Sequence, residues 1–426
     1  MSECLTDQID NYAIYLPAIS PAYSAYVVQQ DKQAPRNVCP ADLDFQNASS
    51  SLWTYKWCLA SAGTFAYTGR PNSITSRNPN SSIVVGDSGG YQVATGALRG
   101  MKGWERHPDR ICELWTHSEI RADMLRWLDL HCDYAMTLDV PLWLKSEQFA
   151  GTPFYKCTVE QITDLTVENL CYFDKHRGAV GQCKFLNVIQ GRTEEEEEYW
   201  YSRVRDFDFE GWALGGSAGR RFDINRVLRR ILLLRDERML GDGRHWLHVL
   251  GLSQITWAVA LTAMQRGIQR SCGTPFTIAF DTSSPLLWAG KIQRYALPPN
   301  LTSGASTWRI SLVPFPVGFA AANSRAHEQF PSGSPLSSRL KLGDVNPNKS
   351  PYCAQTLSPF GQTALCNHNL YILLRATIDA NDIAFRRKAA PQEIADMVGE
   401  IDDLFTCEGW ADRLDAISPC LKRVLR

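Results

Sequence analysis

The stretch Ser82-Ile83-Val84-Val85-Gly86 runs directly into Asp87-Ser88-Gly89-Gly90-Tyr91-Gln92. The first part has the length and β-branched content of a buried strand; the second is a polar, glycine-rich turn. The same arrangement recurs along the chain. Asp133–Leu138 runs into Asp139-Val140-Pro141, Lys184–Ile189 into Gln190-Gly191-Arg192, and Gly211–Leu214 into Gly215-Gly216-Ser217. Trp246–Leu250 runs into Gly251-Leu252-Ser253, and Phe276–Phe280 into Asp281-Thr282-Ser283-Ser284. Between these runs lie segments of helical periodicity: Pro108–Leu130, a helix capped by Thr193 and opened by five glutamates, Ile224–Glu237 and Gln254–Gln269. An acidic first turn after a threonine cap is what a helix N-terminus favours, and the glutamate run needs no further explanation.

Strand then helix, repeated, predicts a parallel sheet with covering helices. An open doubly wound sheet presents ligands only to strands near its switch point, whereas a closed barrel turns every strand's C-terminal end toward one mouth. Here the strand ends carry Asp, Asp, Gln, Gly-Gly, Gly and Asp. Polar chemistry at so many ends favours an α/β fold of the (β/α)₈ TIM type. Residues 1–40 read as an irregular lead-in and 41–313 as the barrel core. Residues 314–367, rich in proline, serine, asparagine and glycine, read as an irregular insertion, and 368–426 as C-terminal helices completing the barrel.

Composition narrows the class. With 44 basic and 45 acidic residues the formal net charge is −1, so a polyanion would have to be held by a local basic face. The 13 cysteines are scattered without a Cys-x-x-Cys pair, which suits reduced thiols in a cytoplasm better than a disulfide framework. Met1–Tyr15 lacks the basic and apolar regions of a signal peptide, and no apolar run is long enough to span a bilayer. A cytoplasmic protein with no membrane partner is expected.

Asp87 and Asp281 are the candidate catalytic pair. Two carboxylates facing one mouth suit glycosidic bond exchange, in which one attacks the anomeric carbon and the other manages the leaving group's proton. An aspartate after a strand is also a common helix cap or turn former. Gly89 and Gly90 permit close backbone approach to a planar ligand, and Tyr91 could stack on it. Gly215 and Gly216 could turn backbone N–H groups toward a ligand or serve packing at a barrel corner, and both readings stay open. Trp200 and Trp212 are expected in the core.

Asp87–Gln92 resembles the DSGGFQ motif of the tRNA-guanine transglycosylase superfamily, with Tyr91 in place of phenylalanine. The resemblance continues in order through Leu138-Asp139, Ile189-Gln190-Gly191, Leu214-Gly215-Gly216, Leu250-Gly251, Phe280-Asp281 and His368-Asn369-Leu370, across roughly residues 50–380. It implies a (β/α)₈ barrel that exchanges guanine in a polynucleotide for a 7-deazaguanine, with no cofactor required for the chemistry. By position, Asp281 would be the nucleophile and Asp87 the acid and base. Ser88, Asp139, Gln190, Gly191, Gly215 and Gly216 would surround the base edge. Tyr91 and Leu250, with Gly251 beside it, would cover the base faces.

The match also fails in informative places. The family's structural zinc uses three closely spaced cysteines and a histidine, four ligands in all. Here only Cys353, Cys366 and His368 stand in that region, with Asp344 or another donor left to complete a rearranged set. Buried thiols and a packed histidine are the favoured reading. Thr282-Ser283-Ser284-Pro285 replaces the loop that helps recognise the tRNA anticodon, and Ser217–Arg221 replaces another of the family's segments. That combination is similar to the family's DNA-modifying branch of phages and bacterial genomic islands, whose modification belongs to phage defence and restriction-modification. The resemblance implies DNA as partner, 7-cyano-7-deazaguanine as incoming base, and helper proteins of a DNA-modification system. Guanine would have to be flipped out or single-stranded. Arg192, Arg220, Arg221 and Arg226 follow strand ends and are candidate phosphate contacts, although arginines on helices are often simply solvated. The alternatives are the same chemistry on tRNA, or a non-catalytic polynucleotide-binding subunit; retention of both aspartates argues against the latter.

Overall fold

A computed structural model of the chain describes residues 2–29, 35–215, 223–316, 325–345 and 357–425. Eight parallel strands form one sheet: β1 (Ile14–Pro17), β2 (Trp57–Ser61), β3 (Ile83–Asp87), β4 (Tyr134–Met136), β5 (Lys184–Ile189), β6 (Gly211–Leu214), β7 (Trp246–Val249) and β8 (Thr277–Thr282). Neighbours in sequence are neighbours in space, and β8 returns to pair with β1, with Asp281 opposite Leu16. The remaining gap is narrowed by the Ile19 N–H donating to the Leu59 carbonyl at 3.0 Å. The result is a nearly closed parallel barrel, flanked by helices, an architecture compatible with the TIM type.

Alternation along each strand sorts residues between two cores. Ile14, Leu16, Leu59, Val85, Met136, Leu186, Val188, Ala213, Trp246 and Ala279 fill the barrel interior, while Tyr15, Val84, Phe185, Trp212, Leu247 and Ile278 pack outward against helices. The N-terminal end of the barrel is filled by aromatic rings, Tyr134 stacked on Trp246 at 4.2 Å and Trp57 tilted against it at 5.8 Å. The polar strand ends lie at the other end.

The helices that pack around the barrel include, in chain order, α1 (Pro21–Val27), α2 (Ala62–Phe65), α3 (Gly90–Thr95), α4 (Ile111–Thr116), α5 (Ile120–His131), α6 (Val159–His176), α7 (Glu194–Val204), α8 (Ile224–Asp236), α9 (Ile255–Cys272), α10 (Ser284–Gly290), α11 (Pro359–Asn381), α12 (Gln392–Leu404) and α13 (Trp410–Val424). The Thr193 cap is in place, its hydroxyl accepting the Glu196 N–H at 3.2 Å. The helix expected over Pro108–Leu130 is broken between α4 and α5. Ser118 donates its hydroxyl to the Trp115 carbonyl at 2.7 Å, a local bond that competes with helix continuation. Trp200 and Trp212 are fully buried, as expected.

The first 40 residues are not wholly irregular: they supply β1 and α1. A run of four residues ending in Pro17 carries little local strand signal. The added region begins before residue 314, with an antiparallel pair, Arg294–Leu297 against Ser311–Pro314, and ends where α11 starts at Pro359. The cysteines among the described residues are all free thiols, and none of the described helices is long and apolar enough to cross a membrane.

Candidate active site

Period-two alternation decides what the strand ends present. Asp87 has the parity of the inward Val85, Gln190 that of Val188, His248 that of Trp246 and Asp281 that of Ala279. All four side chains therefore project into the barrel at its polar end. Asp87 and Asp281 come from strands three apart around the ring, and each lies within the electrostatic reach of the other.

Asp281 is held from one side. Its Oδ1 accepts the Gly251 N–H at 3.1 Å and the His248 Nε2–H at 3.0 Å. No hydrogen bond to Oδ2 is made among the described residues, so one carboxylate oxygen is oriented and the other left for a ligand. Gly251 is in the left-handed region at φ 77°, a conformation glycine adopts without strain, and this turn aims its N–H at the carboxylate. His248 is wholly buried, and its Nδ1 has no partner among the described residues. Sequence patterning alone does not single it out. The available signal was a histidine inside the apolar run Trp246–Leu250, two residues from an inward tryptophan.

Asp139 and Gln190 meet directly, the Gln190 amide donating to Asp139 Oδ2 at 2.8 Å. Burial raises the Asp139 carboxyl to about 7, and the charge of Asp87 adds to the effect. Asp87 is also raised, first by burial and then by Asp281, while the Gly89 N–H acts against this. Two aspartates thus hold protons more tightly than usual within one mouth. Thr137 Oγ1 and Gln92 Oε1 are buried with no hydrogen-bond partner among the described residues.

The glycines have steric duties more than ligand-facing ones. A Cβ at Gly215 would stand 2.5 Å from Gln190 Nε2, and one at Gly191 2.6 Å from the α7 backbone at Glu197. At Gly90 it would reach Asp139 Oδ1 at 3.1 Å. Gly215 and Gly90 therefore make room for the Asp139–Gln190 pair, and Gly191 lets α7 approach β5. Tyr91 is 59% exposed and leans on Trp143 with ring centroids 5.8 Å apart, an aromatic face open to stacking. Leu250 is half-buried and packs at the edge of the interior cluster.

The candidate phosphate arginines are engaged elsewhere. Arg226 pairs with Glu197 at 2.6 Å and donates to the Gly191 carbonyl at 2.8 Å. Arg192 is clamped on Glu196, four residues on. Both tie α7 to its neighbours, so the glutamate run at the start of α7 is partly neutralised by its own surroundings. Gly216, Arg220, Arg221 and Cys353 lie outside the described residues.

The remaining zinc candidates do not fit a metal. His368 accepts the Ser334 hydroxyl at its Nδ1 (2.8 Å) and donates from Nε2 to the Ala296 carbonyl (3.0 Å), so both ring nitrogens are committed. Cys366 precedes it by two residues on α11, which places the two on different helix faces. Asp344 is tied to Arg36 and to the Lys341 N–H. Among the described residues no group of three metal-ligating side chains assembles.

No protein-family model matches this chain, and no curated protein matches it.

Proposed function

We propose that this chain is a pentosyltransferase on a (β/α)₈ barrel that exchanges guanine in DNA for a 7-deazaguanine base, 7-cyano-7-deazaguanine by preference. The observation that carries the reading is the one-sided hold on Asp281 opposite a proton-retaining Asp87. Oδ2 of Asp281 attacks C1′ of the target deoxyribose while the bond from C1′ to guanine breaks. Asp87 gives its proton to the departing guanine. The incoming base then loses a proton to Asp87 and attacks C1′, releasing Asp281. Two displacements at one carbon retain the β configuration. The raised carboxyl of Asp87 supports the acid role, since a general acid must still carry its proton at working pH. Asp139 and Gln190 supply a donor and acceptor edge for a purine, and Tyr91 a face for it.

DNA rather than tRNA is favoured by the segment after Asp281. Thr282 and Ser284 bond to each other there, hydroxyl to hydroxyl at 2.9 Å, with no arginine to read an anticodon loop. Purified protein incubated with labelled 7-cyano-7-deazaguanine should label single-stranded DNA and leave tRNA unlabelled. A covalent protein–DNA adduct mapped to Asp281 would establish nucleophile and substrate together. Label in tRNA alone would overturn the DNA assignment, and an adduct mapped to another residue would overturn the mechanism.

A further inference from the structure

His248 is a basic group within reach of both carboxylates of the mouth. It is wholly buried on β7, where its strand partners are Ala213 on β6 and Ala279 on β8. Its Nε2 lies 3.0 Å from Oδ1 of Asp281, and its charge acts on Asp87 across the mouth. Among the described residues neither aspartate pairs with a lysine or arginine. Gly251 supplies a second donor to the same Oδ1, but a backbone N–H does not titrate. Of the two donors that hold Asp281, only His248 can change its charge.

An ionised carboxylate only accepts, so Nε2 carries hydrogen in this contact. Two states remain: a neutral ring with a bare Nδ1, or an imidazolium with a proton there. A neighbouring carboxylate favours the cation and burial favours the neutral ring, so hydrogen bonding has to decide. Nδ1 is buried and meets no acceptor among the described residues. An unmet lone pair is tolerated better than an unmet N–H, above all one that carries charge. The reaction points the same way. When Asp281 becomes the glycosyl ester its negative charge is lost, and an imidazolium against it would be left buried without a counter-ion. A neutral Nε2–H can donate both to a carboxylate oxygen and to the carbonyl oxygen of the ester. Burial raises the Asp87 carboxyl, and a positive charge on His248 works against that. The cation would therefore strip the departing guanine of its acid.

We propose that His248 is a positioning residue that works as a neutral ring, donating from Nε2 to Asp281 in the free enzyme and in the glycosyl-enzyme alike, and that a proton on Nδ1 switches exchange off. The proposal rests on the assignment of Asp281 as nucleophile.

His248→Gln is the discriminating variant, because an amide can donate to Asp281 and takes up no proton in the working range. On the plateau of the pH profile its kcat should fall about a hundredfold. His248→Leu, which has no donor, should fall about tenfold further, the loss of one bond to a charged group. The acid side of the profile carries the sharper test. One pH unit below the wild-type midpoint, wild-type kcat/KM should be down about tenfold, whereas His248→Gln should lose no more than about half of its own plateau value. Asp139, whose carboxyl burial raises to about 7, is the other group that could shape this limb, and Asp139→Asn should keep it. ¹⁵N NMR of histidine-labelled wild type should show the neutral Nε2–H tautomer of His248 at plateau pH. Its signal is assigned by loss in His248→Gln or, should that variant not fold, by its shift in Asp281→Asn. An imidazolium or Nδ1–H signal on the plateau, an acid limb that survives in His248→Gln, or equal kcat in the Gln and Leu variants would each overturn the proposal. With the covalent adduct mapped to Asp281, such a result overturns the proposal alone. An adduct mapped to another residue overturns the nucleophile assignment, and the proposal with it.

Discussion

His248 and His368 are both wholly buried, yet their surroundings differ in kind. His368 joins α11 to the added region, with one ring nitrogen on Ser334 and the other on Ala296, and rings of Phe330 and Tyr295 set edge-on around it. Burial lowers it to about 4, so the neutral ring is a finished structural part. His248 uses one nitrogen to hold Asp281, and the other has no partner among the described residues. A buried polar group that is fully satisfied stabilises the fold, whereas one that is half satisfied beside a carboxylate costs stability and is the place to look for function.

The comparison can be broken most severely at the carboxylate that His248 serves. Asp281→Asn should reduce base exchange by about a thousandfold or more and abolish the covalent adduct, as loss of a nucleophile does. His248→Gln should come next, lowering kcat by about a hundredfold through misorientation of Asp281, with oligonucleotide affinity nearly unchanged. An unaltered kcat would make His248 a core residue of the His368 kind. His368→Leu should do the reverse. It strands the Ser334 hydroxyl and the Ala296 carbonyl, and should cost about 2–4 kcal/mol of stability in a denaturant titration. Activity per folded molecule should be retained.

The smallest effect is a matter of sign in the pH dependence of stability. Asp139 has its folded-state carboxyl raised to about 7. Between the unfolded carboxyl range near 4 and that value the folded state binds the extra proton, so its contribution is lost as pH rises. His368 acts oppositely, since its folded ring is lowered to about 4. The unfolded chain binds the extra proton from there to about 6.5, and stability is lost as pH falls. Asp139→Asn should therefore make Tm rise more steeply with pH between about 4 and 7 than in wild type. An unchanged slope would show that Asp139 keeps an ordinary carboxyl.

How much of this could be read beforehand varies by element. Six barrel strands were legible from apolar runs ending in polar turns, with boundaries within a few residues. β1 and β2 were not. Ile14–Pro17 is held by pairing with residues 279–282, and nothing local marks it. Asp87, Asp139, Gln190 and Asp281 were legible as strand-end residues. His248 was hidden because a single polar residue in an apolar run looks like noise until strand parity is known. Arg192 and Arg226 looked free because their partners, Glu196 and Glu197, were read only as a solvated helix start.

By itself the sequence determined the alternation of strands and helices, the polar character of the strand ends and the capped, acidic start of α7. These depend on hydrogen bonds and side-chain spacing within a few residues, so the local chain contains the information. Only the tertiary structure decided that the sheet curls until Ile19 meets Leu59 and that His248 orients one oxygen of Asp281. Those contacts join segments tens of residues apart. Their formation depends on how the two cores pack, which no local pattern records.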